Sequence, residues 1–292
     1  MGRPLLDSLL ERCTFPDPGA AVTCAVSGGP DSTALLALAV RAGCRATAVH
    51  VDHGLRAGTK HEADVVAGTA ATLGATFRSE KVEIEPGPNL EARARAARFG
   101  VLPADVMTGH TADDQAETVL LNLLRGTGPE GLGGMRPGRR HPILALRRAE
   151  TVAVCRELGL TTIDDPTNAE LGFRRNRIRH EVLPLLADVA DRDVVPLLER
   201  TADVTREAVD HLMSVAEGLD PTDVAVLRAA PVPLARLAIR NWLRSCSPDA
   251  YAPDATSVDR VLTVVRGEAV ATQIAGGWRV ERSSGRLRVV QC

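Results

Sequence analysis

The stretch that decides the fold runs Ala21-Val22-Thr23-Cys24-Ala25-Val26-Ser27-Gly28-Gly29-Pro30-Asp31-Ser32 and continues into Thr33-Ala34-Leu35-Leu36-Ala37-Leu38-Ala39-Val40. The apolar run over 21–26 predicts a buried strand, and the alanines and leucines over 32–42 predict a helix closed by Gly43. Gly28 and Gly29 allow a tight turn and close backbone approach between the two. A helix start behind such a turn presents free N–H groups, which suits a phosphate or pyrophosphate. Asp31 adds a carboxylate able to hold Mg²⁺ against phosphates, Ser27 and Ser32 add hydroxyls, and Pro30 belongs to the same phosphate-binding turn. A Walker A loop would need a Gly-Lys-Ser/Thr ending, and a dinucleotide fingerprint would need glycine at three set positions; the turn has neither.

Working outward, strand and helix signals alternate. Strands are predicted over 46–51, 75–82 and 105–108, and helices over 60–73, from Asn89 toward Phe99, and over 111–125 with Gly126 as the stop. Repeated strand–helix–strand units imply an α/β fold, a doubly wound and mostly parallel sheet with helices on both faces. Ligands in such sheets bind beyond the carboxyl ends of the strands. The loops at 27–32, 50–56 and 109–114 all fall there.

Downstream come a Gly-rich loop over 126–138, a helix over 147–158, a turn over 164–168 and a helix from Arg175 that Pro184 interrupts. Residues 193–219 predict amphipathic helix leading to a smaller, mainly helical unit with helices near 232–244 and 256–266 and a hairpin from Ala271 to Val290. The expected division is a catalytic domain over 1–192 and a linker helix plus small domain over 193–292.

Bulk composition narrows the function. Net charge is −2, so no global field marks a nucleic-acid binder. Aromatics are only 2%, so the core must be built from Ala, Val and Leu. The cysteines at 13, 24, 44, 155, 246 and 292 form no C-x-x-C pair, which removes zinc-ribbon and iron–sulfur readings. The opening residues carry charges and no apolar signal core, and no run reaches transmembrane length, so a cytoplasmic setting without membrane contact is expected.

Further side chains carry candidate chemistry. His50, Asp52 and His53 follow the second strand; lacking a third ligand at suitable spacing, they read as a backbone and ribose contact to a nucleotide rather than a metal centre. On a helix beginning at Thr111, Asp114 and Glu117 share a flank, and His110 projects to the same edge. Two carboxylates there would hold an ammonium group; alternatively, first-turn acids merely offset the helix dipole. Arg95 and Arg98 sit on one helix, and either would stabilise charge on an α-phosphate, with Arg98 preferred. Arginine gathers in two places: Arg136, Arg139, Arg140, Arg147 and Arg148, then Arg174, Arg175, Arg177 and Arg179 around Asn176. Both suit the phosphates of a nucleic acid.

The hexapeptide Ser-Gly-Gly-Pro-Asp-Ser resembles the PP-loop of N-type ATP pyrophosphatases, whose fold is the adenine nucleotide alpha hydrolase type. His50-Val51-Asp52-His53-Gly54-Leu55-Arg56 resembles a segment of the tRNA(Ile)-lysidine synthases. So do Ala94-Arg95-Ala96-Ala97-Arg98-Phe99 (with Phe99 where the family usually has Tyr), Thr108-Gly109-His110 through Asp114-Gln115-Ala116-Glu117-Thr118, Asp165-Pro166-Thr167-Asn168, and Arg175-Asn176-Arg177-Ile178-Arg179. The resemblance is close over 20–190 and weaker beyond.

It implies an ATP- and Mg²⁺-dependent ligase acting on isoleucine tRNA with a CAU anticodon. The wobble cytidine is adenylated at its C2 carbonyl oxygen, L-lysine attacks C2, and AMP leaves. The product, lysidine, moves decoding from AUG to AUA. Asp31 would serve Mg-ATP, with Arg98, Asp114 and Glu117 as the other catalytic groups. His110, Asp114 and Glu117 would meet lysine, and Arg175, Asn176, Arg177 and Arg179 would meet tRNA, with Arg177 or Arg179 alternatively reaching the adenylated intermediate. A second copy of the chain, as a homodimer, stays open as a partner. The rival readings are a tRNA thiolase or an amide-forming synthetase on the same loop, and a nucleotide-binding regulator without catalysis.

Overall fold

The computed structural model describes residues 3–52, 59–82, 93, 97, 100–164, 170, 172–246, 253–274 and 276–291. His53, Gly54–Arg56, Arg95, Arg98 and Asp165–Asn168 lie outside the described residues. The chain divides into two compact units, Met1–Asp203 and Val204–Cys292.

In the first unit, helix α1 (Arg3–Leu10) precedes strand β1 (Ala21–Ala25), and helix α2 (Pro30–Arg41) leaves the Gly turn. Strand β2 (Arg45–Asp52), helix α3 (Thr59–Leu73) and strand β3 (Thr76–Lys81) follow. The three strands pair in parallel in the order β1-β2-β3. On the free side of β1, Met107 N–H donates to Thr23 O at 2.8 Å and Met107 O accepts from Ala25 N–H at 2.9 Å. The strand predicted over 105–108 is thus reduced to one parallel bridge, Cys24 to Met107. That bridge still matters. It puts the chain's next pass on the opposite edge of β1 from β2, so the strand order reverses beside β1. Such a reversal opens a crevice at the carboxyl ends of the two neighbouring strands.

Helix α2 carries the centre of the core. Ser32 through Ala39 are buried along it, and Leu35, Leu36 and Leu38 are fully enclosed against Val22, Cys24, Ala46, Ala48, Met107, Ile143 and Val154. Aliphatic side chains do this work in a chain with few aromatics, as composition requires. Helix α4 (Ala112–Leu124), the short α5 (Pro129–Leu132) and α6 (Arg148–Glu157) complete the frame around the crevice.

Beyond them the chain forms α7 (Arg174–Arg177), a widened π turn (Ile178–Val182) and α8 (Leu183–Ala190) as one continuous helical run. Pro184 was expected to interrupt this helix; the run passes through it instead. A proline ring clashes with the carbonyl four residues earlier, and a widened turn relieves that clash. Helix α9 (Val195–Ala216) leads out of the unit.

The second unit contains α10 (Val224–Ala229), α11 (Val232–Cys246) and α12 (Ala255–Arg266), followed by strands β4 (Ala271–Ile274), β5 (Trp278–Ser283) and β6 (Arg286–Gln291). The single predicted hairpin is a three-stranded antiparallel sheet, β4-β5-β6. Ser284 and Gly285, both at positive φ (51° and 73°), close the β5–β6 hairpin, the arrangement a two-residue turn between twisted strands demands. Ile239, Val261, Val264, Val280 and Leu287 fill a separate core.

Candidate active site

The Gly turn is held open by its own hydrogen bonds. Ser32 Oγ donates to Gly29 O at 3.0 Å and accepts from Ser27 N–H at 3.2 Å, so the hydroxyl braces the loop from inside. Thr33 N–H donates to Gly29 O at 3.0 Å, starting α2. Gly28 has φ +90°, and a Cβ there would stand 2.4 Å from Ile163 Cδ1. Only glycine satisfies both the dihedral and the space. His50 is buried; its Nδ1 lies 3.0 Å from Val26 O and ties β2 to the residue entering the turn, while its Nε2 has no partner among the described residues. Asp52 ends β2.

Across the crevice, the segment after Met107 lies against the turn. A Cβ on Gly109 would stand 2.7 Å from Asp31 O, so glycine is needed for this approach too. Thr108 Oγ1 lies 2.7 Å from Nδ1 of both His110 and His141. His110 therefore belongs to a Thr108–His141 cluster at the crevice.

Three helices begin around this point: α2 near Asp31, α4 near Asp113 and Asp114, and α6 at Arg148. Helix N-termini carry partial positive charge, so acids gather there readily. Asp114 Oδ2 accepts from Thr111 N–H at 2.9 Å and from Thr111 Oγ1 at 3.0 Å, so it caps α4. Asp113 accepts from the Arg148 amide at 2.7 Å and from Arg147 Nη2 at 3.1 Å, so it caps α6 from another element. Glu117 is fully buried one turn further along α4.

Arginines answer these acids. Arg148 Nε lies 3.1 Å from Asp31 Oδ2, Nη2 2.9 Å from Asp114 Oδ1, and Nη1 3.4 Å from Glu117 Oε1. Arg175 Nε lies 2.6 Å and Arg179 Nε 2.7 Å from the two Glu117 oxygens. These two arginines are four residues apart on one helical run and share its inner face. Arg177, on the outer face, is exposed and pairs with Glu181 at 2.9 Å. Asn176 is buried and donates to Glu170 O at 2.9 Å. Thr151 Oγ1 donates to Asp31.

Electrostatics differ among the acids. Burial pushes the Asp31 carboxyl above the usual carboxylate range, against the pull of Thr151 and Arg148. Burial would do the same to Asp114, but Arg148, Arg175, His110 and the Thr111 amide outweigh it and hold that carboxyl below the usual range. Asp113 is likewise lowered, Arg147 and the Arg148 amide overcoming its burial.

The sequence singled out Asp31, His110, Asp114, Glu117, Arg175 and Arg179, and the structure gathers them at one crevice. It does not bring Arg177 there. Arg147 and Arg148, grouped in the sequence with arginines for tRNA phosphates, instead turn to Asp113 with Asp193 and to Asp31, Asp114 and Glu117. Arg148 and Thr151 are the site residues that sequence reasoning missed. One signal was available: an arginine opening a helix is disfavoured by the dipole unless acids surround it.

Comparison with known proteins follows this division of the chain. Residues 6–186 match the model of a PP-loop domain family, and residues 223–288 match that of the TilS substrate binding domain. The tRNA(Ile)-lysidine synthase of Mycolicibacterium paratuberculosis is 41% identical over 271 residues, covering 86% of this chain and 84% of that protein. That of Nocardia farcinica is 40% identical over 280 residues, covering 89% and 87%. The U34-tRNA thiolase NcsA from Methanococcus maripaludis superposes with TM-score 0.53 at 15% identity, covering 71% of this chain and 78% of that one, a likeness of fold alone.

Proposed function

The chain belongs to the tRNA(Ile)-lysidine synthase family, and from that premise we propose that it ligates L-lysine to C2 of the wobble cytidine of CAU-anticodon isoleucine tRNA, consuming ATP and releasing AMP and pyrophosphate. The observation that carries the reading is the junction of the Gly turn with the acid pair: Asp31 and Asp114 are bridged by one guanidinium, Arg148.

The amides around Gly28 and Gly29 cradle the triphosphate, with the N-terminus of α2 supporting the charge. Asp31, in the first turn of α2 beside the Gly turn, would hold Mg²⁺ together with the phosphates. When bound there, Mg²⁺ supplies charge neutralisation for the departing pyrophosphate. The cytidine C2 oxygen attacks the α-phosphorus, and the bond to the β-phosphate bridging oxygen breaks. Lysine's amine then attacks C2, loses a proton, and displaces AMP. Asp114 and Glu117 hold lysine's charged end, with His110 beside Asp114. Arg98 would steady the α-phosphate, and His50, Asp52 and His53 would contact the ribose of ATP. Arg177 faces outward for tRNA phosphate, and the second unit orients the tRNA. We propose the cytoplasm as its setting, with the tRNA and ATP it would consume. Among the described residues no helix is long and apolar enough to cross a membrane.

A thiolase on the same loop is less well supported. Burial pushes the Cys24 thiol up to about 12 and the Cys155 thiol up to about 11, which keeps both protonated and poorly nucleophilic. The test is incubation with ATP, labelled lysine and transcripts of two tRNAs. Label should enter the CAU isoleucine transcript and not the CAU methionine transcript; label in neither removes the reading.

A further inference from the structure

Among the described residues, the crevice holds an ion-paired cluster of three carboxylates (Asp31, Asp114, Glu117) and three guanidiniums (Arg148, Arg175, Arg179) whose charges cancel, and beside it Asp113 and Asp193 share Arg147. Glu117 has no exposed side-chain surface, and Asp114 has 11%. If lysine binds at this acid pair, as proposed above, it brings a fourth cation to a cluster whose three carboxylates are all paired already. An uncompensated charge in so enclosed a place is costly. Binding therefore requires that one guanidinium find another anion.

The three arginines are not equivalent in this respect. Among the described residues, Arg175 and Arg179 ion-pair with Asp114 and Glu117 alone. Arg148 pairs with these two and also with Asp31, on the first turn of the helix that leaves the Gly turn. It stands at the head of α6, where helix polarity disfavours a cation, so the surrounding acids are what retain it. Even with the Mg²⁺ proposed above, a triphosphate at the Gly turn adds net negative charge, and it does so on the Asp31 side alone. Arg148 is the guanidinium those charges attract, and its withdrawal leaves Asp114 and Glu117 with an unmet charge.

We infer that Arg148 is a positioning residue that couples the two substrates: nucleotide draws it toward the phosphates, which frees the acid pair for lysine's ammonium. Coupling of this kind is reciprocal, so lysine must tighten nucleotide binding by the same factor that nucleotide tightens lysine. The chain then takes up lysine in earnest only when charged with nucleotide, so lysine alone is not sequestered.

Equilibrium dialysis of labelled L-lysine against the full chain tests this, with and without Mg²⁺ and α,β-methylene ATP, which cannot release pyrophosphate. The expected result is lysine binding at least about fivefold tighter with the nucleotide analogue, the lower end of ordinary coupling between sites. Arg148→Gln should bring that ratio to near one by tightening binding in the absence of nucleotide. Arg179→Gln removes an equal charge from the same cluster and should keep the ratio above one; Arg148→Lys should restore part of it. A ratio of one in the unaltered chain, or an undiminished ratio in Arg148→Gln, overturns the coupling and leaves the lysine site standing. If Arg148→Gln does not fold, as thermal melting will show, the unaltered chain and Arg148→Lys decide the matter. Lysine binding unchanged in Glu117→Gln would instead remove the lysine site itself.

Discussion

The amide of Ile163 donates to the carbonyl of Gly28 at 2.9 Å, and the Ile163 side chain fills the space a Gly28 Cβ would need. The nucleotide turn is thus clamped by a residue 135 positions later in the chain, the difference between 163 and 28. Gly28→Ala meets both a clash and a left-handed backbone, a strain of about 1–3 kcal/mol. We expect lysine incorporation to fall at least about tenfold, the equivalent of 1.4 kcal/mol. Ile163→Ala in the same chain removes the clash but not the dihedral strain, so it should recover only part. Steady-state kinetics of the single and double variants check this.

Asp31 must be ionised to hold Mg²⁺, and burial raises its carboxyl above the usual range. The acid limb of the rate profile for MgATP should therefore lie above that range. Thr151→Val removes a hydrogen bond that pulls Asp31 down, so the limb should move to higher pH. An unmoved limb would show that another group sets it. For stability the sign is opposite to that of a usual carboxylate. Folded Asp31 holds its proton more tightly than unfolded Asp31, so its contribution is present below the unfolded pKa and is lost as pH rises through the folded one. Asp114 and Asp113 are lowered. Their contribution is present above the unfolded pKa and is lost as pH falls through the folded one. Thermal melts across acid pH in Asp31→Asn and Asp113→Asn chains separate the two behaviours.

Glu117 is fully buried and accepts from both Arg175 and Arg179. Removing one partner of a buried ion cluster costs about 3–5 kcal/mol because the remaining charges stay buried. Glu117→Gln should lower the urea midpoint accordingly and raise the KM for lysine. Glu117→Gln with Arg179→Met should recover much of the stability without recovering lysine use.

Arg177 is exposed, four residues before its partner Glu181. Arg177→Ala should leave the melting temperature unchanged and weaken tRNA binding. The slope of log K against log salt should decrease by about one if a single phosphate contact is lost. Filter binding at several salt concentrations measures it.

The nucleotide turn was legible because its signals are local: glycines, a strand before, a helix after. Asp114 and Glu117 were legible for the same reason, since helical spacing alone puts them on one flank. Arg148 was not. Its partners Asp31, Asp114 and Glu117 lie 117, 34 and 31 residues away, and no short-range pattern encodes such a meeting. The helix through Pro184 was misread because proline's local veto was applied without allowing for a widened turn. The strand over 105–108 shrank to one bridge because only Met107 reaches β1's ladder among the described pairings. In the second unit the helices near 232–244 and 256–266 were read from a weaker pattern, the six-residue α10 was missed as too short to show a period, and the third strand was missed because two short hairpins share the alternation of one.

The central claim is that ATP is split between its α- and β-phosphates at the Gly28–Gly29 turn, on behalf of tRNA. The most direct measurement is chromatography of labelled ATP products after incubation with the chain, lysine and the CAU isoleucine transcript. The account predicts pyrophosphate and AMP in equal amounts, dependent on that transcript and lost in Asp31→Ala. Release of ADP and phosphate, or pyrophosphate formed equally well by Asp31→Ala, would contradict it.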